Sequence, residues 1–208
     1  MPDQIRLGII GASPTVGWAH RAHLPASQAS VDWELTGACT TRMETAEDSA
    51  RQYGAKIPFD NYHTMLAHPD IDAAAVVLRV PTHYDITKDV INAGKHVFTE
   101  WPLGKTTDEA RELAALAKEK DVRAIVGLQS RAAPAVMHMK ELVETGYIGE
   151  VLSASLRQIG GGVLTRDSGR TWQRDVELGA NTLTISAGHS IDALRFVAGD
   201  FVKVSAQI

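Results

Sequence analysis

The 208 residues are enough for one large domain or two small ones, each with its own hydrophobic core. The 44% hydrophobic and 22% charged fractions are ordinary for a globular protein, and the net charge of −4 disfavours a nucleic-acid partner. No apolar run approaches the roughly 18 residues of a membrane span. A strand-like run begins directly after Gln4, so we expect no signal peptide, and the single Cys39 excludes an intramolecular disulfide. We therefore expect a cytoplasmic protein without a membrane partner.

Strand-like and helical segments alternate through the first part of the chain. The predicted strands are short apolar runs at Ile5–Ile10, Trp33–Thr40, Ile71–Val80, His96–Thr99 and Arg123–Leu128. The predicted helices are amphipathic or end before a glycine, and they cover Gly17–Ala29, Glu44–Tyr53, Asp85–Ala93 and Thr107–Lys120. Strands separated by such helices form right-handed βαβ crossovers. The pattern predicts an α/β fold with a doubly wound parallel sheet, a Rossmann-type domain over residues 1–122.

The pattern changes in the last part of the chain, where we expect a second α/β domain over residues 123–208. Its predicted helices are Pro134–Glu144 and Ile191–Val197, and its predicted strands are Glu150–Ile159 and Val202–Ile208. Gly160-Gly161-Gly162 predicts either a flexible or a tightly packed crossing. No turn or partner follows the last predicted strand, so we expect this domain to be incomplete.

A glycine-rich turn follows the first strand. A strand, such a turn and a helix present free backbone N–H groups and a positive dipole end to a pyrophosphate. Ser13 stands where the second glycine of G-x-G-x-x-G belongs, and Gly17 comes one residue late. A plain strand–helix connection is the alternative, but the position within a repeated βαβ pattern favours dinucleotide binding. The predicted cofactor contacts in this turn are Gly11, Ala12, Ser13, Val16 and Gly17.

The residues after the second strand bear on the choice between NAD and NADP. An acidic residue there binds the ribose 2′-hydroxyl of NAD, but this chain has Thr41 and Arg42 and no acid before Glu44. A hydroxyl followed by a guanidinium suits the 2′-phosphate of NADP, through charge-assisted hydrogen bonds. We predict Thr41 and Arg42 as cofactor contacts and NADP in preference to NAD. The alternative is that Arg42 is a solvated loop residue.

Longer motifs are more specific than the glycine turn. They are Gly94-Lys95-His96-Val97 followed by Thr99-Glu100-Trp101-Pro102-Leu103-Gly104, together with His23-Leu24-Pro25-Ala26 and Gly188-His189-Ser190-Ile191-Asp192. This set resembles the Gfo/Idh/MocA oxidoreductases, and within them a Gal80-like branch that contains both oxidoreductases and a dinucleotide-binding repressor. The resemblance implies a Rossmann domain, a second domain built on an open antiparallel sheet, and a site between them. It also implies that a full-length form is a homo-oligomer.

The resemblance also identifies two departures. In active members the lysine of Glu-Lys-Pro and an aspartate four residues before the histidine are assigned to the chemistry, and here those positions hold Trp101 and Ile185. His189 remains as the predicted acid–base residue, since a base must take the hydroxyl proton while hydride leaves. Asp192, one helical turn on, is placed to orient it. The alternative is that His189 caps a helix or lies in a core.

The other predicted contacts divide between cofactor and substrate. The resemblance suggests that Glu100 binds the nicotinamide ribose, and we place His83 and Pro102 at the cofactor as well, with a loop role as the alternative for His83. The predicted substrate contacts are Trp101, Gln129, Arg131, Trp172 and Asp192. His20 and His23 lie three residues apart, but no carboxylate or cysteine is spaced to complete a metal site, so we predict no metal.

These predictions lead to two functional hypotheses. The first is an NAD(P)-dependent oxidoreductase that acts on a sugar- or polyol-like hydroxyl or carbonyl. The second is a catalytically silent dinucleotide-binding sensor, which the replacement of the catalytic lysine and aspartate by Trp101 and Ile185 favours. The sequence has no recognisable DNA-binding element through which such a sensor could act. Since family members are commonly longer, we expect the chain to lack much of the second sheet. We therefore expect it to expose apolar surface and an unpaired edge when isolated.

Overall fold

The computed structural model describes residues 4–159 and 168–207. The chain divides into two compact units, Met1–Gly127 and Leu128–Ile208. Among the described residues, no helix has both the length and the apolar character needed to cross a membrane.

The first unit is built on a six-stranded sheet in which every pairing is parallel. Its strands are β1 (Ile5–Ile10), β2 (Trp33–Cys39), β3 (Ile57–Phe59), β4 (Ala73–Val76), β5 (His96–Glu100) and β6 (Ala124–Gly127). The strand order is β3-β2-β1-β4-β5-β6, the order of the doubly wound dinucleotide-binding sheet. The prediction of a parallel Rossmann sheet is therefore confirmed.

Helices connect the strands and cover both faces of this sheet. They are α1 (Leu24–Ala29), α2 (Met43–Tyr53), α3 (Tyr62–Ala67), α4 (His83–Asn92) and α5 (Thr107–Glu119). Helical structure begins before α1, at residue 17, and includes a wider π-helical turn at Ala19–His23. Pro25 has no N–H to donate to the carbonyl of Arg21, and its ring crowds that carbonyl, so the turn widens there.

Neighbouring residues of β1 and of β5 lie in two different hydrophobic cores. Ile9 packs with α1 and α2 on one face, whereas Ile10 packs with α3, α4 and α5 on the other. Val97 and Phe98 of β5 divide between the two cores in the same way. This alternation follows from the two-residue period of a strand. Both faces of the central strands are thereby buried, which explains their nearly continuous apolar sequence.

The first unit differs from the sequence prediction in one shortened strand and in two elements that the sequence missed. The strand predicted at Ile71–Val80 is limited to Ala73–Val76, because the chain turns before Pro81, and Val80–Thr82 form a 3₁₀ turn. The sequence also missed β3 and α3. β3 has three residues and contains Pro58, which is tolerated because β3 is an edge strand.

The second unit contains α6 (Pro134–Glu144), α7 (Gly188–Ala198) and short 3₁₀ and π-helical turns. Neither Glu150–Ile159 nor residues 202–207 forms a strand, so both strand predictions are wrong, and the predicted antiparallel sheet is not found among the described residues. A strand exists only through hydrogen bonds to a neighbouring strand, and these two segments pair with no described segment. The Gly160-Gly161-Gly162 prediction and residue 208 lie outside the described residues.

Candidate dinucleotide-binding site

The carboxyl edge of the sheet gathers most of the predicted cofactor residues of the first unit. The strand order reverses between β1 and β4, which creates a crevice at the carboxyl ends of these strands. The turn after β1 contains Gly11, the turn after β2 contains Arg42, and the segment after β5 contains Trp101. The sheet topology therefore brings these turns to one edge.

Gly11 closes the turn after β1 against the turn after β4. Its φ of +89° favours glycine, and a Cβ on it would lie 2.3 Å from the carbonyl oxygen of Val77. The N–H groups of Gly11 and Ala12 donate to the carbonyl of Cys39, at 2.9 and 3.0 Å. Ala12 is fully buried. These hydrogen bonds hold the turn after β1 against the end of β2 and satisfy both N–H groups within the protein.

Ser13 organises the rest of this turn. Its N–H donates to the carbonyl of Gly11 at 2.8 Å, and its hydroxyl oxygen accepts from the N–H of Val16 at 3.3 Å. Gly17 also has a positive φ, of +87°, with open space around its Cβ position. The segment from Thr15 to Gly17 is exposed. Its amides therefore lie at the surface immediately before the helical stretch.

The turn after β2 is organised by Thr40 rather than by the predicted cofactor contacts. The Thr40 hydroxyl donates to the carbonyl of Arg42 at 2.8 Å and lies 2.6 Å from the hydroxyl of Thr45. Thr41 and Arg42 are exposed at its tip. The Arg42 guanidinium is therefore at the surface on this edge of the sheet.

His83 connects the segments after β4 and β5. It is 1% exposed, with Nδ1 2.6 Å from the carbonyl oxygen of Pro102 and Nε2 3.1 Å from that of Leu78. A neutral imidazole donates to one of these carbonyls, whereas a protonated one donates to both. This link is a role for His83 that the sequence did not predict. Pro102, which follows a cis peptide bond, is itself buried.

Glu100 ends β5 and contacts His23. The His23 Nε2 lies 2.5 Å from the Glu100 Oε1, and both side chains are largely buried. Trp101 follows and is half-buried. The sequence analysis considered His23 only as part of a metal pair, which it rejected, although His23 belongs to the His23-Leu24-Pro25-Ala26 motif that carried the resemblance. Its pairing with Glu100 depends on a contact between residues 77 positions apart, which no local pattern reveals.

In the second unit, the structure joins two of the predicted substrate contacts to each other. Arg131 donates from Nε and Nη2 to the two carboxylate oxygens of Asp192, at 2.8 and 2.5 Å, and this raises the pKa of Arg131. The predicted partner of His189 is therefore held by a guanidinium. His189 itself lies at the start of α7 and is half-buried. Gln129 is exposed, and Trp172 is half-buried in a 3₁₀ turn.

Neither a metal centre nor a cysteine nucleophile is supported by the described residues. Within residues 4–159 and 168–207, no group of three or more histidine, cysteine, aspartate or glutamate side chains is arranged to hold a metal ion. Cys39 is buried in the core, and burial raises the pKa of its thiol to about 12. A protonated, buried thiol is a poor nucleophile.

Two family models together match most of the chain. The model described as "Oxidoreductase family, NAD-binding Rossmann fold" matches residues 5–128, and that described as "Gal80p, C-terminal domain" matches residues 134–208. The chain therefore belongs to the NAD(P)-binding Gfo/Idh/MocA oxidoreductase family. This family includes both dehydrogenases and Gal80 regulators.

Individual relatives divide between these two classes. The dehydrogenase aclE of Aspergillus oryzae is 33% identical over 99% of this chain and 58% of its own length. The transcriptional regulator Gal80p of Kluyveromyces lactis has a solved structure with a TM-score of 0.85, at 26% identity over 95% of this chain and 52% of that one. A mutant of KijD10, a 3-ketoreductase from Actinomadura kijaniata solved with TDP-benzene and NADP, has a TM-score of 0.65, at 29% identity over 72% of this chain and 46% of that one. The chain spans about half the length of the curated relatives it matches.

Proposed function

We propose that this protein binds NADP, in preference to NAD, at the carboxyl edge of its sheet and acts as an oxidoreductase on a sugar- or polyol-like hydroxyl or carbonyl. The observation that carries the proposal is the turn at Gly11. A Cβ there would meet the Val77 carbonyl oxygen at 2.3 Å, so only glycine lets the turn after β1 pack this closely against the end of β4 at the strand reversal. A glycine that permits this tight turn is the first glycine of the dinucleotide-binding motif, whose following amides and helix start receive the diphosphate.

The residues around this turn fit a dinucleotide. The N–H groups of Thr15 and Val16 precede the helical stretch that begins at residue 17, and the Val16 N–H already faces an oxygen, that of the Ser13 hydroxyl. A diphosphate oxygen is a stronger acceptor for such an amide than a hydroxyl. Arg42 is exposed at the neighbouring strand end, where a guanidinium recognises a 2′-phosphate. The reduced or oxidised nicotinamide supplies or accepts the hydride when the cofactor is bound.

The proton transfer is assigned to His189. A histidine suits this task because its protonation changes near neutral pH. Trp101 stands where active relatives carry lysine, so an aromatic face replaces an ammonium group that would stabilise developing negative charge. Turnover without that lysine is expected to be slower by orders of magnitude, on the order of 10²-fold or more.

Calorimetry with NADP and NAD tests the cofactor proposal. Arg42→Ala is expected to weaken NADP binding about tenfold and to leave NAD binding unchanged, because one charge-assisted contact is removed from the 2′-phosphate alone. Arg51→Ala is the matched control, since Arg51 is exposed on α2 and paired with Asp48. Failure of the intact protein to bind either dinucleotide would overturn the proposal.

A turnover assay tests the enzymatic part. The protein is incubated with NADP or NADPH and a panel of aldoses and polyols, and the absorbance of the reduced nicotinamide is followed. Turnover that is lost in His189→Ala, with dinucleotide binding retained, supports the assigned base. Turnover that persists in His189→Ala contradicts that assignment.

A dinucleotide-dependent regulator is the second candidate. Trp101 and Ile185 replace the lysine and aspartate assigned to the chemistry in active relatives, and Asp192 is engaged by Arg131. The similarity to Gal80 regulators agrees with such a role. Tight dinucleotide binding without turnover on any sugar or polyol would favour the regulator over the enzyme.

A further inference from the structure

The Glu100 carboxylate is enclosed by residues from three elements of the first unit. Phe98 and Glu100 are two residues apart on β5, so both side chains project from the same face of the sheet. On that face, the His23 ring packs edge-on against Phe98, with ring centroids 5.3 Å apart, while its Nε2 reaches the Glu100 Oε1 at 2.5 Å. The position of the His23 ring is thus fixed by a packing contact with Phe98 and by a hydrogen bond with Glu100.

The other side of the carboxylate is bounded by β6. Gly127 pairs with Glu100 in the sheet, and a Cβ on Gly127 would lie 3.0 Å from the Glu100 Oε2 and 3.1 Å from the Phe98 Cζ. A side chain at position 127 would therefore crowd this oxygen. The His23 imidazole contacts Oε1, and the backbone of Gly127 lies beside Oε2. Together these two neighbours define the orientation of the Glu100 carboxylate.

His23 also occupies an unusual place in the chain. It is the last residue of the π-helical turn Ala19–His23, directly before α1. Single π-helical turns recur at functional sites because they redirect side chains from the regular helical positions. His20 lies in the same turn but contacts the Tyr53 hydroxyl, at 2.7 Å, on a different element. Only the second of these two histidines is placed at the carboxyl end of β5.

We propose that His23 is a positioning residue for the nicotinamide half of the dinucleotide, acting through Glu100; this inference rests on the proposed function. A carboxylate has about four acceptor positions, and His23 occupies one of them. The remaining positions are those that would accept hydroxyl groups of the nicotinamide ribose, the contact that the family resemblance predicts for Glu100. By holding Oε1, His23 keeps the carboxylate in a single orientation, so that less freedom is lost when ligand binds.

Binding of whole dinucleotides and of matching fragments tests this role. The fragments lack only the nicotinamide riboside: ADP that carries an additional 2′-phosphate is paired with NADP, and ADP is paired with NAD. His23→Leu is expected to weaken the dinucleotide about tenfold and to change fragment binding by less than about twofold. His23→Gln keeps an N–H donor and is expected to restore most of the lost affinity. His20→Leu is the matched control, and its dinucleotide-to-fragment ratio should equal that of the wild type.

A double-substitution cycle shows whether His23 acts through Glu100. The variant with both His23→Leu and Glu100→Gln is expected to bind the dinucleotide no more weakly than Glu100→Gln alone. Losses that add in the double variant, or an equal loss for dinucleotide and fragment in His23→Leu, would overturn the inference while leaving the proposed function intact. A wild-type protein that binds neither dinucleotide nor fragment refutes the proposed function first, and this inference with it.

Discussion

Both units of the chain contain large apolar residues, but these residues are buried to different extents in the two units. In the first unit each strand has a hydrogen-bonded neighbour, and the large apolar side chains enter two cores on opposite faces of the sheet. In the second unit the described residues form helices and short turns, and Leu152 and Ile159 are 88% and 95% exposed. Helices make their hydrogen bonds locally, whereas strands depend on distant partners. An apolar segment is therefore buried only where its partners are present.

The largest expected difference between the units concerns matched leucines. Leu113 of α5 is 2% exposed in the core, whereas Leu152 is 88% exposed. Leu113→Ala is expected to lower the free energy of unfolding by about 2–5 kcal/mol, through lost burial and a cavity. Leu152→Ala should change it by less than about 0.5 kcal/mol. Urea denaturation measures both, and a comparable loss in the two variants would show that Leu152 is buried in solution.

Substitution of the glycine that follows a helix should destabilise the two units by similar amounts, because the geometry of a helix end is local. Gly54 follows α2 with a φ of +76°, and Gly146 follows α6 with a φ of +74°. Alanine at either position is expected to cost about 1 kcal/mol, since a side chain is disfavoured in the left-handed region. Thermal unfolding followed by circular dichroism measures the two costs. A destabilised Gly54→Ala beside an unaffected Gly146→Ala would contradict the expected equivalence.

The smallest expected effect concerns two surface ion pairs. The Arg6 guanidinium donates to Asp72, at 2.9 and 2.7 Å, and this hydrogen bonding lowers the pKa of Asp72 to about 2. Its contribution is therefore present above the unfolded-state pKa, near 3.9, and is lost as the pH falls toward 2. Because the pair is partly exposed, Asp72→Asn is expected to destabilise by only about 1 kcal/mol at pH 7.

The control for Asp72 lies in the second unit. Arg195 lowers the pKa of Asp200, but both groups are exposed, so Asp200→Asn should have no measurable effect on stability. Urea denaturation at pH 7 and at pH 2–3 compares the two variants with the wild type. The difference between Asp72→Asn and wild type should shrink at the lower pH, and a difference that grows there would show that the sign is wrong.

The sequence predicted most of the first unit because its signals are local and repeated. Ile5–Ile10 begins and ends as predicted, and Gly54 ends α2 as expected. The same holds for the local helix signal of Pro134–Glu144 in the second unit. The edge strand at Ile57–Phe59 was missed because it is short and contains proline. The strand predicted at Glu150–Ile159 failed for a different reason, because alternation of apolar residues does not reveal whether a partner strand exists.

The candidate site was predictable in its turns but not in its contacts. The glycine turn, Thr41 and Arg42 follow strand ends, so their place at one sheet edge could be deduced from the alternation of strands and helices. The pairing of His23 with Glu100, of His83 with the Pro102 carbonyl and of Arg131 with Asp192 each joins residues far apart in the chain. These contacts depend on how elements pack, which periodicity does not encode.

The buried His83 ring has a practical consequence for redesign. It links the backbone after β4, at Leu78, to the backbone after β5, at Pro102. Exchanging the Trp101 segment for that of a lysine-bearing relative therefore alters the support of the neighbouring turn as well. A graft intended to introduce the lysine in place of Trp101 therefore has to transfer both backbone segments together with the histidine that links them.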